Sequence, residues 1–441
     1  MAELVSTIDA LVVDSAKIVT NSGKEIDIRG LISAMSFSES IESVAIKGTV
    51  RIVDTVGLLE KTPLMGEETL LITMTGKDYD TKKKLELFVY KIDNVIPLEN
   101  YAGVGFMMHV MTKQSFQAGA SIITASFNKQ GDQICQDIFD RAFERISTTP
   151  KYVANANVFK ISNDREAVFE TTEGDIRCII PTYQPSEAMH FICTKAFSSK
   201  STSCSFRFFE TMNGFYFVTD EFLVRRALEE KKVKPVEYSS VISVDPENID
   251  KRKFTLTSFV NSNRANTAQD IRSGAYASNI LVVDFVNKTT ENNRFRYKDD
   301  AIFTSMKGTT EKNFRHSDAF VNDVFNEGNE KRMIFFRDYD IRGEGQLKGE
   351  ENIPLITSRK ISYDHMIKST AVSASIQGRL DIRAGDVLDV SILELNTADK
   401  RERNKQLSGN YVVHTCNQTI EEDKLTTNML LIKYGWETSR V

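Results

Sequence analysis

The side chains best able to do chemistry are five histidines, five cysteines and many carboxylates, and their spacing assembles no familiar reactive set. His109, His190, His316, His365 and His414 each stand alone. No HExxH, HxH or Cys/His array places two ligands on one helix face or strand edge, so local spacing writes no zinc site. Cys135, Cys178, Cys193, Cys204 and Cys416 are odd in number, never form CxxC and sit mostly among apolar neighbours. They read as buried thiols. There is no GxSxG elbow to expose a serine, no GxxxxGK[ST] loop to cradle phosphates and no GxGxxG dinucleotide turn. The nearest glycine-rich run, Arg342-Gly343-Glu344-Gly345, lacks a preceding buried strand and a lysine for phosphate, and reads as a flexible turn. Glycoside hydrolysis needs two carboxylates whose surroundings split their pKa values. No pair stands in such an apolar setting, and Asp386 and Asp389, flanking Val387 and Leu388, read as the solvent side of a strand. His109 and His414 fall in predicted strands and His190 on a predicted helix, where a packed or hydrogen-bonded imidazole is expected. The expected sets of catalytic, cofactor-binding and metal-binding residues are therefore empty. Trp436, the only tryptophan, stands beside Tyr434 and reads either as a partner anchor or as packing for the last strand.

Composition narrows the class further. The 441 residues suffice for roughly three domains at about 150 residues each. Hydrophobic content of 41% and charged content of 27%, with only eight prolines, describe a chain that folds around several cores. A formal charge of -5 argues against a protein that works by neutralising nucleic-acid phosphates. The opening MAELVSTIDALVVDSAKIV has no charged n-region, and Asp9 and Asp14 break its apolar stretch, so no export signal is expected and synthesis in a cytosol is. No run approaches the length that crosses a bilayer as a helix, and no stable membrane insertion is expected.

Elements follow from periodicity. Between Lys61 and Asn94, Pro63 and Gly66 punctuate the entry to a strand over Glu68 to Thr75; a polar loop leads to a second over Lys84 to Val95, where Leu85, Leu87, Val89 and Ile92 recur among polar residues. Ala45 to Asp54 puts Ile46, Gly48, Val50 and Ile52 on one face, Phe37 to Ser43 reads as a turn or short helix, and Val104 to Met111 closes an antiparallel set that includes a strand pair from the opening segment. Residues 1–112 thus read as one antiparallel β-barrel domain. Residues 113–230 read as mixed α+β. Ile134, Ile138, Ala142 and Ile146 recur four apart on a helix over Asp132 to Ile146, with Asp132 at its positive end. A second helix starts at Pro185 and Ser186, with Ser186 as its cap and Met189, Ile192 and Ala196 on its apolar face. Aromatic-rich strands over Ser205 to Glu210 and Phe215 to Thr219 flank Met212-Asn213-Gly214, a hairpin signal. Arg225 to Tyr238 reads as a charged crossing between domains. A second barrel is expected from residues 231–275 plus 355–441, with strands over Phe254 to Val260, Ser369 to Ile382, Gly385 to Leu395, Gly409 to Gln418 and Leu425 to Tyr434. Asn261 to Ser273 reads as a polar, helix-compatible stretch and Thr397 to Leu407 as a charged loop. Residues 276–354 read as a strand and loop-rich insertion that completes the middle domain or contacts partners. It opens with a strand over Ser278 to Lys288 and is dominated by loops from Glu291 to Glu351. The fold class is mainly β with an α+β middle, and a chain that builds so many sheets without a reactive cluster reads as an assembly part.

This order of pieces resembles a known family. PLMGEETLLITMTG followed by LELFVYKIDN resembles the first tube-type barrel of the baseplate hub proteins of contractile-tailed phages. YQPSEAMHFICTKAFSSKSTSCSFRFFETMNGFYFVTDEFL resembles their middle domain, and GRLDIRAGDVLDVSI with GNYVVHTCNQTIEEDKLTTNMLLIKY resembles their closing barrel. Such hubs are similar to the N-terminal part of type VI secretion spike proteins. The resemblance implies two tail-tube-like barrels per chain and a homotrimer in the virion tail baseplate, assembled in the host cytoplasm. The trimer would adapt a hexameric tail tube protein on one end to a trimeric central spike on the other. Genome DNA would pass through the lumen without specific binding, and other baseplate proteins would be neighbours. No cofactor is implied. A tail-associated peptidoglycan hydrolase, or an adhesin or carbohydrate-binding protein, is the alternative; the first needs a catalytic acidic pair, the second exposed aromatic platforms.

Overall fold

The computed structural model describes residues 11–62, 64–76, 81–98, 103–146, 148–162, 164–200, 204–238, 254–261, 267–296, 330–336, 353–368, 371–392, 404 and 407–433. His316, Arg342 to Gly345, Tyr434 and Trp436, with most of Glu291 to Glu351 and of Thr397 to Leu407, lie outside that set.

The first unit is built of β1 (Leu11–Val19), β2 (Glu25–Asp27), β3 (Ile32–Ser40), β4 (Lys47–Asp54), β5 (Thr69–Gly76), β6 (Thr81–Pro97) and β7 (Val104–Thr112). Period-two alternation decides its inner face. Along β5, Leu70, Ile72 and Met74 are buried while their neighbours are half-exposed. Fully burying each such side chain contributes roughly 1.5–3 kcal/mol. A one-residue slip would turn that whole face to water, which fixes the register Leu70↔Leu87 and Ile72↔Leu85 with β6. β6 is long because bulges between Val89 and Lys91 and between Asp93 and Ile96 let it bend around the core. Phe37, expected in a turn or short helix, lies inside β3 opposite Gly48. Its ring occupies the space a Cβ on Gly48 would need.

After the middle unit, the chain adds β15 (Lys234–Tyr238), β16 (Leu256–Asn261), β20 (Ala371–Gln377), β21 (Val387–Ile392), β22 (Gly409–Glu421) and β23 (Lys424–Lys433). These continue the same sheet, which has thirteen strands. The splice is β22. Its first residues pair with β21, Val412 opposite Val387, and its later ones pair with β3, Cys416 opposite Glu39. A register shift between Val413 and Thr415 marks the change of partner, and His414 sits there. Each half curls. Leu11 N–H of β1 donates to Asp423 O in the β22–β23 turn (2.9 Å), and Glu237 N–H of β15 donates to Phe254 O beside β16 (2.7 Å). Arg225 to Tyr238, expected as a crossing, instead completes a helix and forms β15, which runs parallel to β21.

The middle unit holds β8 (Ile123–Gln130), β9 (Lys151–Val153), β10 (Ala156–Lys160), β11 (Glu166–Glu170), β12 (Asp175–Tyr183), β13 (Phe206–Thr211) and β14 (Gly214–Thr219). Helices Gly131–Ala142 and Pro185–Lys195 pack on its sheet of order β13-β14-β11-β10-β9 around Phe139, Phe169, Phe208 and Phe215. Its second helix is capped by Gln184 and not by Ser186: Glu187 reaches back to accept from Gln184 N–H (3.1 Å). The antiparallel pair β8–β12 carried no strong signal in the sequence.

A small sheet of order β18-β17-β19 joins β17 (Ala277–Asp284), β18 (Thr289–Arg296) and β19 (Lys331–Phe336). The helix Ile353–Lys368 packs beside it, burying Ile356, Ser358, Ser362 and Tyr363. The helix has little apolar periodicity because Ser358 and Ser362 are two of its five buried residues among those described, beside Pro354, Ile356 and Tyr363.

Candidate functional site

The three parts of the chain meet around the β13–β14 turn. β3 aligns Met35, Phe37 and Glu39 on one buried face, and β13 aligns Phe206, Phe208 and Glu210 likewise, so strand parity drives two carboxylates inward. Each takes at least one donor from another unit. Glu39, from the first half-sheet, accepts from Met212 N–H (2.9 Å) in the turn and from Ala384 N–H (3.3 Å) before β21, with Arg383 Nη1 3.7 Å away. Glu210, from the middle unit, accepts from Thr112 Oγ1 (2.5 Å), Ser115 Oγ (2.7 Å), Arg165 Nη2 (2.6 Å) and Ile46 N–H (3.4 Å). The two carboxylates thus clamp the turn reciprocally. Burial pushes both carboxyls up, and the facing guanidiniums of Arg383 and Arg165 oppose that shift. Their oxygens are occupied by protein donors, so the arrangement holds elements together and offers no free base.

The turn needs a glycine for a tertiary reason. Its two loop residues are Met212 and Asn213, and Gly214 pairs with Thr211 as the first residue of β14. Gly214 has φ +136°, and a Cβ there would lie 1.8 Å from Glu166 O on the parallel neighbour β11. The hairpin expected around Asn213-Gly214 forms, but close strand packing demands its glycine.

A third buried carboxylate, Glu170, ties β11 to the start of the helix Asp220–Glu229. It accepts from Ser198 Oγ (2.6 Å) and from the Thr219 N–H and hydroxyl (2.8 Å each), while Thr219 Oγ1 in turn accepts from Phe222 N–H (3.1 Å) as the helix cap. Burial pushes the Glu170 carboxyl above 4.5, its ordinary value. The folded state therefore binds this proton more tightly than the unfolded chain. The resulting stabilisation is complete below the unfolded pKa and is lost as pH rises through the folded one. Glu170→Gln removes the titration, so the variant is expected to gain stability relative to the parent as pH rises above 4.5. Urea midpoints at several pH values check this; a difference that stays constant over the range refutes it.

The described histidines are dispersed. His109 Nε2 is 3.0 Å from Asp93 Oδ1, His365 Nδ1 is 2.9 Å from Asp270 Oδ1, and His414 Nε2 is 3.4 Å from Glu42 Oε1. Partial desolvation of the His190 ring and then the nearby Lys360 and Arg207 hold it below its usual value, although the residue is exposed. All five cysteines are buried and unbridged, and burial pushes Cys193 up to about 12. Among the described residues no group of three or more His, Cys, Asp or Glu side chains gathers as a metal site. No helix there is long and apolar enough to cross a membrane. Asp386, expected on the solvent side of a strand, accepts from Lys234 Nζ (2.6 Å) and Arg383 N–H (2.8 Å) just before β21, and Asp389 is half-buried within it.

Glu39, Glu210, Glu170, Arg165 and Arg383 escaped the sequence reading. The available signal was a single carboxylate at inward parity in an aromatic strand, as in Phe206, Phe208, Glu210.

No protein-family model matches the chain, and no curated protein matches its sequence. Solved structures do share its architecture. A tail protein from Neisseria meningitidis MC58 superposes over 96% of this chain and 98% of its own, with a TM-score of 0.51 at 7% identity. The 43 kDa tail protein of prophage MuSo2 from Shewanella oneidensis gives 0.49 at 8% identity over 95% and 98%. An Escherichia coli component of the type VI secretion system, described as similar to the T4 tail proteins gp27 and gp5, gives 0.41 at 6% identity over 93% and 75%. The Neisseria match establishes a shared fold across nearly the whole of both chains.

Proposed function

We propose that this chain is a structural component of a phage-type tail, and specifically a baseplate hub: a homotrimeric ring that adapts a hexameric tail tube to a trimeric central spike and forms part of the channel wall. The observation that carries this reading is the single sheet in which two curled units share β22. A ring of three such chains would present six wall segments to a hexameric tube and three whole chains to a trimeric spike. The fold shared end to end with a tail protein supports it, as do clamp carboxylates fully occupied in holding the units together.

The large sheet ends at β2, β15 and β16; β15 meets β16 only at the Glu237–Phe254 hydrogen bond and the Thr255 bridge, and beyond that contact β16 pairs, among the described residues, with β20 alone, so unpaired edges along β2 and β16 invite pairing with another chain. In a closed ring those contacts would be heterologous and finite. Glu25 on β2 and Val260 on β16 are exposed. Glu25→Lys combined with Val260→Lys is expected to leave the melting temperature nearly unchanged, since exposed substitutions of this kind shift stability by about 0.5 kcal/mol or less. The same pair should abolish trimer formation and tail assembly. Normal tails built from the double variant would overturn the edge-pairing role.

A further inference from the structure

We infer that the chain carries a binding site for a small oxyanion, of phosphate or carboxylate chemistry, in the cleft between the middle unit and the 383–387 segment. This inference does not rest on the tail reading, although Arg383 and Arg165 also face the clamp carboxylates Glu39 and Glu210.

The cleft measures about 630 Å³. Its floor is Phe209, Thr211, Leu223 and Val387, and the cationic side chains on its wall are Lys151, Lys160, Arg165, Arg226, Lys232 and Arg383. Its carboxylates are Asp164, Glu166, Glu230 and Asp386, and most are already engaged. Arg226 binds Glu166 (2.9 Å) and Glu230 (3.0 Å), Lys232 binds Glu230 (2.5 Å), and Lys234 binds Asp386 (2.6 Å). Lys151 and Lys160 form no ion pair with a described residue and stand exposed at the rim. Arg165 and Arg383 face Glu210 (2.6 Å) and Glu39 (3.7 Å), so the unspent charge of the cleft is the positive remainder of Lys151 and Lys160 against Asp164.

Arg383 is the specific element. It is 2% exposed, and its Nη1 donates to Gln418 Oε1 (2.7 Å). Among the described residues its Nε and Nη2 have no hydrogen-bond partner, and neither does Nε of Arg165. Nε–H and Nη2–H project in parallel from one edge of a guanidinium, the geometry that receives two oxygens of a carboxylate or phosphate at once. Leaving that edge buried and unpaired is costly, so an oxyanion that engages it recovers both hydrogen bonds. The edge lies beneath the present surface, and a ligand must displace the side chains now covering it. The surrounding field is consistent: Lys83, whose Nζ donates to Asn213 Oδ1 (2.8 Å), is held below its ordinary pKa by burial and then by the charge of Arg383.

The test is thermal melting of the purified full chain in sodium phosphate, sodium acetate and sodium chloride at matched ionic strength. Phosphate is expected to raise the melting temperature beyond chloride and to saturate. Arg383→Lys, which keeps the charge but loses the two-toothed edge, is expected to weaken apparent phosphate affinity about tenfold. Should that variant fail to fold, Lys151→Gln with Lys160→Gln at the exposed rim carries the same test, with a loss of several-fold expected. A larger response to phosphate than to acetate would support a free phosphate-type ligand. An equal or larger response to acetate would support a carboxylate presented by a partner. Melting that does not distinguish either anion from chloride overturns the site, and so does an anion response that both variants retain in full.

Discussion

Gly214→Ala is expected to abolish soluble expression or to lower stability by more than about 4 kcal/mol, the range reserved for backbone strain compounded by a core clash. An added Cβ would sit 1.8 Å from Glu166 O and 2.7 Å from Glu166 N, and both are backbone atoms of a strand buried in the middle sheet. Neither can rotate away. Relief would require β11 and β14 to separate, losing the pairing of Glu166 with Gly214 and the hydrogen bond from Glu166 N–H to Asn213 O (2.9 Å). The φ of +136° adds strain for any residue with a side chain. Because the turn also bears Met212, whose N–H is held by Glu39, the damage should extend to the join with the first half-sheet. Gly119→Ala is the control: it closes a helix, a Cβ there meets nothing within 4 Å, and it should be neutral or slightly stabilising. Soluble yield and melting temperature of the two variants decide the matter; comparable behaviour would contradict the packing argument.

Glu210→Ala is expected to cost about 3–5 kcal/mol, because it strips the half-buried Arg165 guanidinium of its counter-charge and leaves two hydroxyls without their acceptor. Arg165 Nη2 would lose its 2.6 Å contact while its Nε is already unpartnered, and Thr112 and Ser115 would face a cavity. Removing both charges together should be milder. Arg165→Met with Glu210→Leu is expected to recover a substantial part of the loss, since a buried ion pair replaced by packed apolar groups of similar volume is often neutral. Urea midpoints for the parent, both single variants and the double variant give the coupling directly. Additive losses would show that the pair does not act as a unit.

Much of the architecture was legible in the sequence because period-two patterning survives wherever one sheet face is buried. β4, β5, β6, β7, β22 and β23 were each visible in this way. Three kinds of feature were not. The helix Ile353–Lys368 hid because Ser358 and Ser362 are buried in it, blurring its apolar stripe. β15 hid because its Lys-Pro-Val-Glu-Tyr run is short and charged, and only its parallel partner β21 makes it a strand. The change of partner along β22 is a tertiary event at His414 with no local code. The clamp was half legible. Strand parity places Glu210 inward, whereas Glu39 lies in the segment expected as a turn or short helix; their donors lie between 95 and 345 positions away along the chain, save for Arg165 at 45, and no local spacing could reveal them.

A closed ring of this kind fixes the number of chains in the assembled particle at three. Native mass measurement of the purified protein, repeated across a concentration series, tests it most directly. Three chains of 49.8 kDa, about 149 kDa in all, are predicted at micromolar concentration. A particle that remains at the single-chain mass of 49.8 kDa throughout the series would contradict it.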